Sequence, residues 1–142
     1  MIVLEGQRPW VWRRLNVSPF TKLGGLHRII QAVMGWEAEL PHQFVLAGDI
    51  YDRVAPNEAL PPDRERNWRL DSALYPNREF WYDVGRGYEW RHRITLENYL
   101  ESVPHWKYPR CLDGAGTSPS GTEKTFSING ANRRLWRRHP RR

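Results

Sequence analysis

The stretch LGGLHRIIQAVMGW, Leu23 to Trp36, decides the fold. On a helical wheel Leu23, Leu26, Ile29, Ile30, Val33 and Met34 fall on one arc about 140° wide, the pattern of a helix buried along one side. Such a helix packs on a sheet. Thr21 is placed as its N-cap, where a hydroxyl accepts a bond from an otherwise unpaired first-turn amide, and Gly35 suits a left-handed stop after Met34. Gly24 and Gly25 in the first turn each cost about 1 kcal/mol relative to Ala, so tertiary packing must hold the helix. His27 and Gln31, four residues apart, lie along one border of the apolar arc. Polar groups on such a rim commonly satisfy buried backbone, and that structural role is weighed against a functional site.

At 142 residues the chain holds one domain with a real core and is short for two. The formal net charge of +6 points to acidic partners only until it is located. Residues 131–142 carry six arginines and no acid, which leaves 16 basic against 16 acidic side chains in residues 1–130. The body is formally neutral, and the basic character belongs to a tail. Cys111 is the sole cysteine, so neither an intramolecular disulfide nor a cysteine zinc cluster can form, and a reducing compartment is expected. No apolar run approaches the roughly 20 residues that span a bilayer, and MIVLEGQRPW lacks the charged-then-apolar order of a signal peptide. These features predict a cytoplasmic protein with no membrane partner. Eight tryptophans supply large contacts, and a surface Trp often marks an interface.

Outward from the helix, Ile2 to Leu4 and Trp10 to Val17 read as a strand pair or as one bent strand broken at Gly6 to Pro9, with Val11, Leu15 and Val17 on one face and Trp10 and Trp12 on the other. Ser18-Pro19 ends this strand. Phe44 to Leu46 and Ile50-Tyr51 read as a hairpin, expected to border the first strand. Residues 53–69 contain three prolines and dense mixed charge, and are read as an exposed loop. One helical turn is expected at Leu70 to Leu74. Arg78 to Asp83 and Trp90 to Glu97 read as antiparallel strands around Gly85-Arg86-Gly87; Trp90, His92, Ile94 and Leu96 alternate against Arg91, Arg93, Thr95 and Glu97. His92 thus falls on the apolar face, as a satisfied core histidine or a ligand. Arg91 and Arg93 fall on the outer face, where they contact phosphate or protect a sheet edge. From Asn98 the chain reads as irregular, Asp113 to Thr122 as flexible, and Thr125 to Ile128 as a short edge strand.

Several of these segments, taken in order, resemble one family: PWVWRRLNV (9–17), LHRIIQAVMGW (26–36) with HQF (42–44), YDVG (82–85) with WRHRITLE (90–97), and YPRCLDG (108–114). It is the family of the third open reading frame of the agrobacterial Ri plasmid, which includes TnpR-type passenger proteins of insertion elements. The resemblance covers roughly residues 2–114. It implies a small α+β protein carried on plasmids, transposons and phage-like elements, with a DNA-binding or transposition-related role. His27, His42, Asp83 and His92 stand at family-motif positions as a possible site. This chain departs from the family's YDFGD turn: Val84 replaces the Phe, Arg86 stands where the acid would be, and Gly87-Tyr88-Glu89 lengthens the turn. AGTSPSGTE likewise lacks the Cys and acidic pair that usually follow.

The expected architecture is therefore α+β: a curved, mainly antiparallel sheet packed by one principal helix, with an irregular C-terminal tail. Residues 1–114 form the domain, 115–130 a flexible or weakly ordered extension, and 131–142 the Arg-rich tail. No phosphate-cradling GxxxxGK[ST], GxSxG, HExxH or recombinase set is present. Asp49, Asp83 and Asp113 are weighed as nuclease carboxylates, and His27, His42 and His92 as zinc ligands, though no short-spaced ligand pair supports the second. Neither motivates a metal or cofactor assignment. The tail offers the best binding chemistry: Arg133, Arg134, Arg137, Arg138, Arg141 and Arg142 match phosphate, and Trp136 can stack on a base. The expectation is a non-enzymatic accessory protein of a mobile element that binds nucleic acid or a nucleoprotein complex. The alternative is a module docking on a protein, including an acidic protein surface, through its Trp-rich face, and a metal-dependent nuclease is third.

Overall fold

A computed structural model gives the architecture and describes residues 1–46 and 58–119. The element order is β1 (Ile2–Leu4), β2 (Val11–Asn16), α1 (Leu23–Met34), β3 (His42–Leu46), a 3₁₀ turn (Pro62–Arg64), α2 (Leu70–Leu74), β4 (Glu79–Val84), β5 (Trp90–Thr95) and β6 (Arg110–Ala115). Among the described residues these strands form one curved antiparallel sheet in the order β3-β4-β5-β1-β2-β6. The fold is the α+β sheet-and-helix arrangement expected from the sequence. Ile50, Tyr51, the proposed strand Thr125 to Ile128 and all of residues 131–142 lie outside the described residues.

Alternation along the strands sends Leu4, Phe44, Phe80, Tyr82, Val84 and Ile94 to one face, where α1 covers them with Leu23, Leu26, Ile30, Val33 and Met34. Each fully buried aliphatic side chain here contributes about 1.5–3 kcal/mol relative to exposure. Gly35 ends α1 in the left-handed conformation with φ 77°, and its N–H returns to Gln31 O.

The other end of the helix differs from expectation. Lys22, not Thr21, is the N-cap residue, and no side chain caps the first turn. The amides of Leu23 and Gly24 donate instead to the carbonyls of Trp68 and Glu65, at 2.9 and 3.3 Å. With backbone acceptors supplied from a distant turn, the Thr21 hydroxyl is not needed. The same contact corrects the reading of residues 53–69 as a wholly exposed loop: Leu60, Glu65 and Trp68 are buried.

Two further expectations fail. β3 does not border β1; it is an edge strand paired with β4, while β1 takes the centre between β5 and β2. And the chain after Asn98 is not irregular throughout, because Arg110–Ala115 pairs along β2 as β6, with a register shift between Arg14 and Leu15.

Arg13 anchors that added strand. It shares the inward face with Val11, is only 3% exposed, and spends its guanidinium on main-chain carbonyls. Nε donates to Val33 O at 2.9 Å, Nη1 to Trp12 O and Ala115 O at 2.8 and 2.9 Å, and Nη2 to Gly116 O at 2.9 Å. Burial lowers its pKa to about 10, so it stays cationic at neutral pH beside the negative end of α1. Ser118 Oγ caps the neighbouring Met34 carbonyl at 2.5 Å.

Candidate functional site

The outward face of the sheet carries the polar and aromatic residues that alternate with the core. Cross-strand register aligns Val45, Trp81, Arg93, Val3, Trp12 and Ala115 in one row across all six strands. A second row holds Gln43, Asp83 and Arg91. Arg91 meets Asp83 through two parallel bonds, Nε to Oδ1 at 2.8 Å and Nη2 to Oδ2 at 3.0 Å, and Gln43 Nε2 adds a third at 3.0 Å. Asp83 is thereby buried and fully engaged, and its carboxylate raises the pKa of Arg91. Arg93 is different: it is exposed and makes no ion pair among the described residues. Both arginines belong to β5, an interior strand, so neither protects a sheet edge.

On the helix side, α1, β3 and β4 converge on a polar cluster. The rings of His27 and His42 stack with centroids 3.5 Å apart and planes inclined by 14°. His27 Nδ1 shares a hydrogen bond with the Tyr82 hydroxyl at 2.8 Å, and His42 Nε2–H donates to the Glu65 carboxylate at 2.9 and 3.0 Å. Burial, and then the neighbouring His42, lowers the pKa of His27 to about 4, so its imidazole is neutral at pH 7. Burial followed by the Glu65 charge pushes the Tyr82 phenol well above its ordinary range. The cluster ties helix, sheet and the turn around Glu65 together through groups able to hold and exchange protons.

His92 lies behind this cluster. Its Nε2 accepts the Trp36 indole N–H at 2.8 Å and its Nδ1 bonds Tyr82 O at 3.0 Å, and burial lowers its pKa to about 4. Of the four family-motif residues, then, His27 and His42 come together, His92 joins them only through Tyr82, and Asp83 points to the opposite face. Gln31 bonds Glu37 O at 3.3 Å and takes no part. Glu65 and Tyr82 complete the histidine cluster, and Arg13 serves separately as the clasp of β6; none of the three is a candidate site residue from the sequence. Tyr82 and Arg13 were signalled by strand alternation, which puts them in phase with Phe80 and Val11; no local pattern marks Glu65.

Asp83 and Asp113 cannot share a metal. They stand on β4 and β6, four strand spacings apart, or about 19 Å. Asp49 lies outside the described residues. Among the described residues no three His, Cys, Asp or Glu side chains are grouped to hold a metal ion. Nor is any described helix long and apolar enough to cross a membrane. Arg133, Arg134, Trp136, Arg137, Arg138, Arg141 and Arg142 all lie outside the described residues.

A crystal structure described as a protein of unknown function, MM3350 from Methanosarcina mazei Go1, is similar to this chain with a TM-score of 0.69 and 26% identity. The similarity covers 80% of this chain and 65% of that one, so this chain spans a little under two thirds of its length. No curated protein matches. One family model, described as plasmid pRiA4b ORF-3-like protein, matches residues 1–133, nearly the whole chain, and the chain belongs to that family.

Proposed function

We propose that this protein is a non-enzymatic accessory factor of a mobile genetic element, binding nucleic acid or a nucleoprotein complex through its C-terminal Arg/Trp segment. The observation that carries this reading is the location of charge: six arginines and Trp136 in residues 131–142, following a formally neutral body. Guanidinium forks suit phosphate, and an indole suits a base face. Membership of a plasmid-named family is in keeping with a mobile-element setting. On the body, Arg93 beside Trp81 is a second cation free to meet a backbone that the tail has captured.

The test is binding to mixed duplex and single-stranded DNA and RNA across a salt series. One arm uses the full chain, the other a full-length variant with the six tail arginines changed to Gln. If all six engage duplex phosphates, log affinity falls with log salt at a slope of roughly −5, and the variant loses that dependence. No binding at physiological salt refutes the proposal.

A second reading, docking on a protein, is favoured by the turn Val103–Trp106. Val103 and Trp106 are 37% and 42% exposed, the turn is closed by Trp106 N–H to Val103 O at 3.1 Å, and Arg110 lies 3.9 Å over the indole. An exposed Trp already held in one orientation binds at little entropic cost. Under this reading Trp106→Ala, and not loss of the tail arginines, abolishes association.

A further inference from the structure

The two layers do not meet everywhere. Between the N-terminal part of α1, α2 and the ends of β1, β2 and β5 there is a cavity of about 270 Å³. Its walls are largely apolar, with Leu15, Val17, Leu26, Leu70, Leu74 and Leu96 among the aliphatic side chains that line it. The gap has a local origin. β2 shifts register between Arg14 and Leu15, Pro19 then turns the chain away, and the five-residue α2 is too short to extend α1's cover to the end of the sheet.

Charge at this cavity is already spoken for within the chain. Arg14 Nε bonds the Glu97 carboxylate at 3.1 and 3.2 Å, and its Nη1 lies 3.9 Å from Asp113. Asp71 is held by Arg69 and by the Ser72 amide, and the Met1 amino group donates to Thr95 O at 2.6 Å. Among the described residues the side-chain charges on these walls are paired, and burial lowers the pKa of the Met1 amino group, so the cavity favours a neutral occupant. Two amides are in the opposite situation: Asn16 and Asn98 line the cavity, and neither side chain makes a hydrogen bond among the described residues. At the mouth, Tyr99 and Leu100 also line the space, yet they are 70% and 64% exposed. Apolar side chains of that size standing in water beside an apolar opening gain by being covered.

We propose that this cavity binds a neutral, largely apolar small molecule with one hydrogen-bonding group, the apolar part seated among the leucines and the polar group at Asn16 and Asn98. Size fixes the class further. An aliphatic cavity of about 150 Å³ accommodates benzene, so about 270 Å³ takes a naphthyl-sized ring system or a chain of about ten carbons. Tyr99 and Leu100 close over the occupant from the segment that follows β5.

The experiment is a fluorescence titration of the full chain with 2-naphthol, a neutral naphthyl probe with one hydrogen-bonding group, followed by competition with 1-decanol and with decanoate at pH 7.5. The expected result is saturable enhancement at one probe per chain, displaced by decanol at tenfold or more lower concentration than by decanoate. Leu96→Trp, which fills the space from its wall, weakens the probe at least tenfold while leaving the thermal midpoint unchanged or raised. Because a core-side change can disturb folding, Tyr99→Ser provides a second variant at an exposed position, expected to weaken binding several-fold with the midpoint unchanged. Absence of saturable binding, many probes per chain, equal competition by decanoate, or unaltered affinity in a folded Leu96→Trp each overturns the proposal.

Discussion

Trp36 and His92 are joined by a hydrogen bond that settles the protonation of the imidazole. The indole N–H can only donate, so Nε2 at 2.8 Å must accept, and the ring proton resides on Nδ1, which donates to Tyr82 O at 3.0 Å. A second proton on Nε2 would oppose the indole N–H head on. Burial drives the pKa in the same direction, down to about 4.

Acid therefore weakens the fold through two histidines. His92 and His27 both have pKa values lowered to about 4, against about 6.5 in an unfolded chain. As pH falls the unfolded chain takes up these protons first, so stability is whole above about pH 6.5 and is lost progressively down through about pH 4. For fully buried His92 alone the loss amounts to about 3 kcal/mol once pH is below 4. Urea midpoints measured from pH 7.5 to 4 check this; His92→Gln should lower the midpoint at pH 7.5 and flatten the acid slope.

Replacing Arg13 tests the carbonyl cage. Arg13→Met keeps much of the apolar stem but strands the carbonyls of Val33, Ala115 and Gly116 without their donor, costing about 3–5 kcal/mol. Arg13→Lys should recover only part, since an ammonium cannot fork to carbonyls on a helix and two strands at once. Urea unfolding gives the energy. Hydrogen exchange should show the β6 amides losing protection before those of β4 and β5.

Gly116 and Gly6 make a matched pair. Both have positive φ, +84° and +81°. A Cβ at Gly116 would come within 2.8 Å of Trp10 O and 2.9 Å of Val11 Cα, which are backbone atoms that cannot swing aside, whereas at Gly6 nothing lies within 4 Å. Gly6→Ala should cost about 1 kcal/mol, the left-handed strain alone, and Gly116→Ala distinctly more. Equal losses in thermal or urea unfolding would show that the contact at Gly116 yields freely.

Arg91 and Arg93, two residues apart on one face, should part company when mutated. Arg93→Ala should reduce the magnitude of the salt slope for duplex binding by about 1 and leave stability alone. Arg91→Ala should leave the slope unchanged and instead destabilise by about 2 kcal/mol, because it removes two charged bonds from the buried Asp83. Binding across salt and urea unfolding on both variants separate the two roles.

What the sequence revealed tracks how local each determinant is. The α1 helix was legible because its apolar spacing and Gly35 stop lie within the element itself. β5 was legible from alternation, which also placed His92 in the core. The N-cap is not legible locally because its true acceptors, the carbonyls of Trp68 and Glu65, come from a turn about forty residues further along the chain. β6 escaped because RCLDGA contains Asp and Gly, both poor in strands, and owes its extension to pairing with β2 and to Arg13. Sheet order was hidden as well, since nothing within IVL tells which two strands will flank it. The His27–His42 stack takes residues from α1 and β3 and is finished by Glu65 and Tyr82, so motif positions could suggest it but not assemble it.

The central place of β1 has a consequence for synthesis. Ile2 to Leu4 pair on one side with Val11 to Arg13, a partner made almost at once, but on the other with His92 to Ile94. While the ribosome elongates the intervening chain, both edges of this apolar hairpin stay open, β1 awaiting β5 and β2 awaiting β6, with the hydrogen-bonding pattern that recruits strands from other nascent copies. α1 in turn lacks its Trp68 and Glu65 acceptors, and Arg13 lacks the Ala115 and Gly116 carbonyls, until those residues have emerged. The domain therefore closes late and nearly all at once, and slowing translation prolongs exposure of the hairpin without letting it fold sooner.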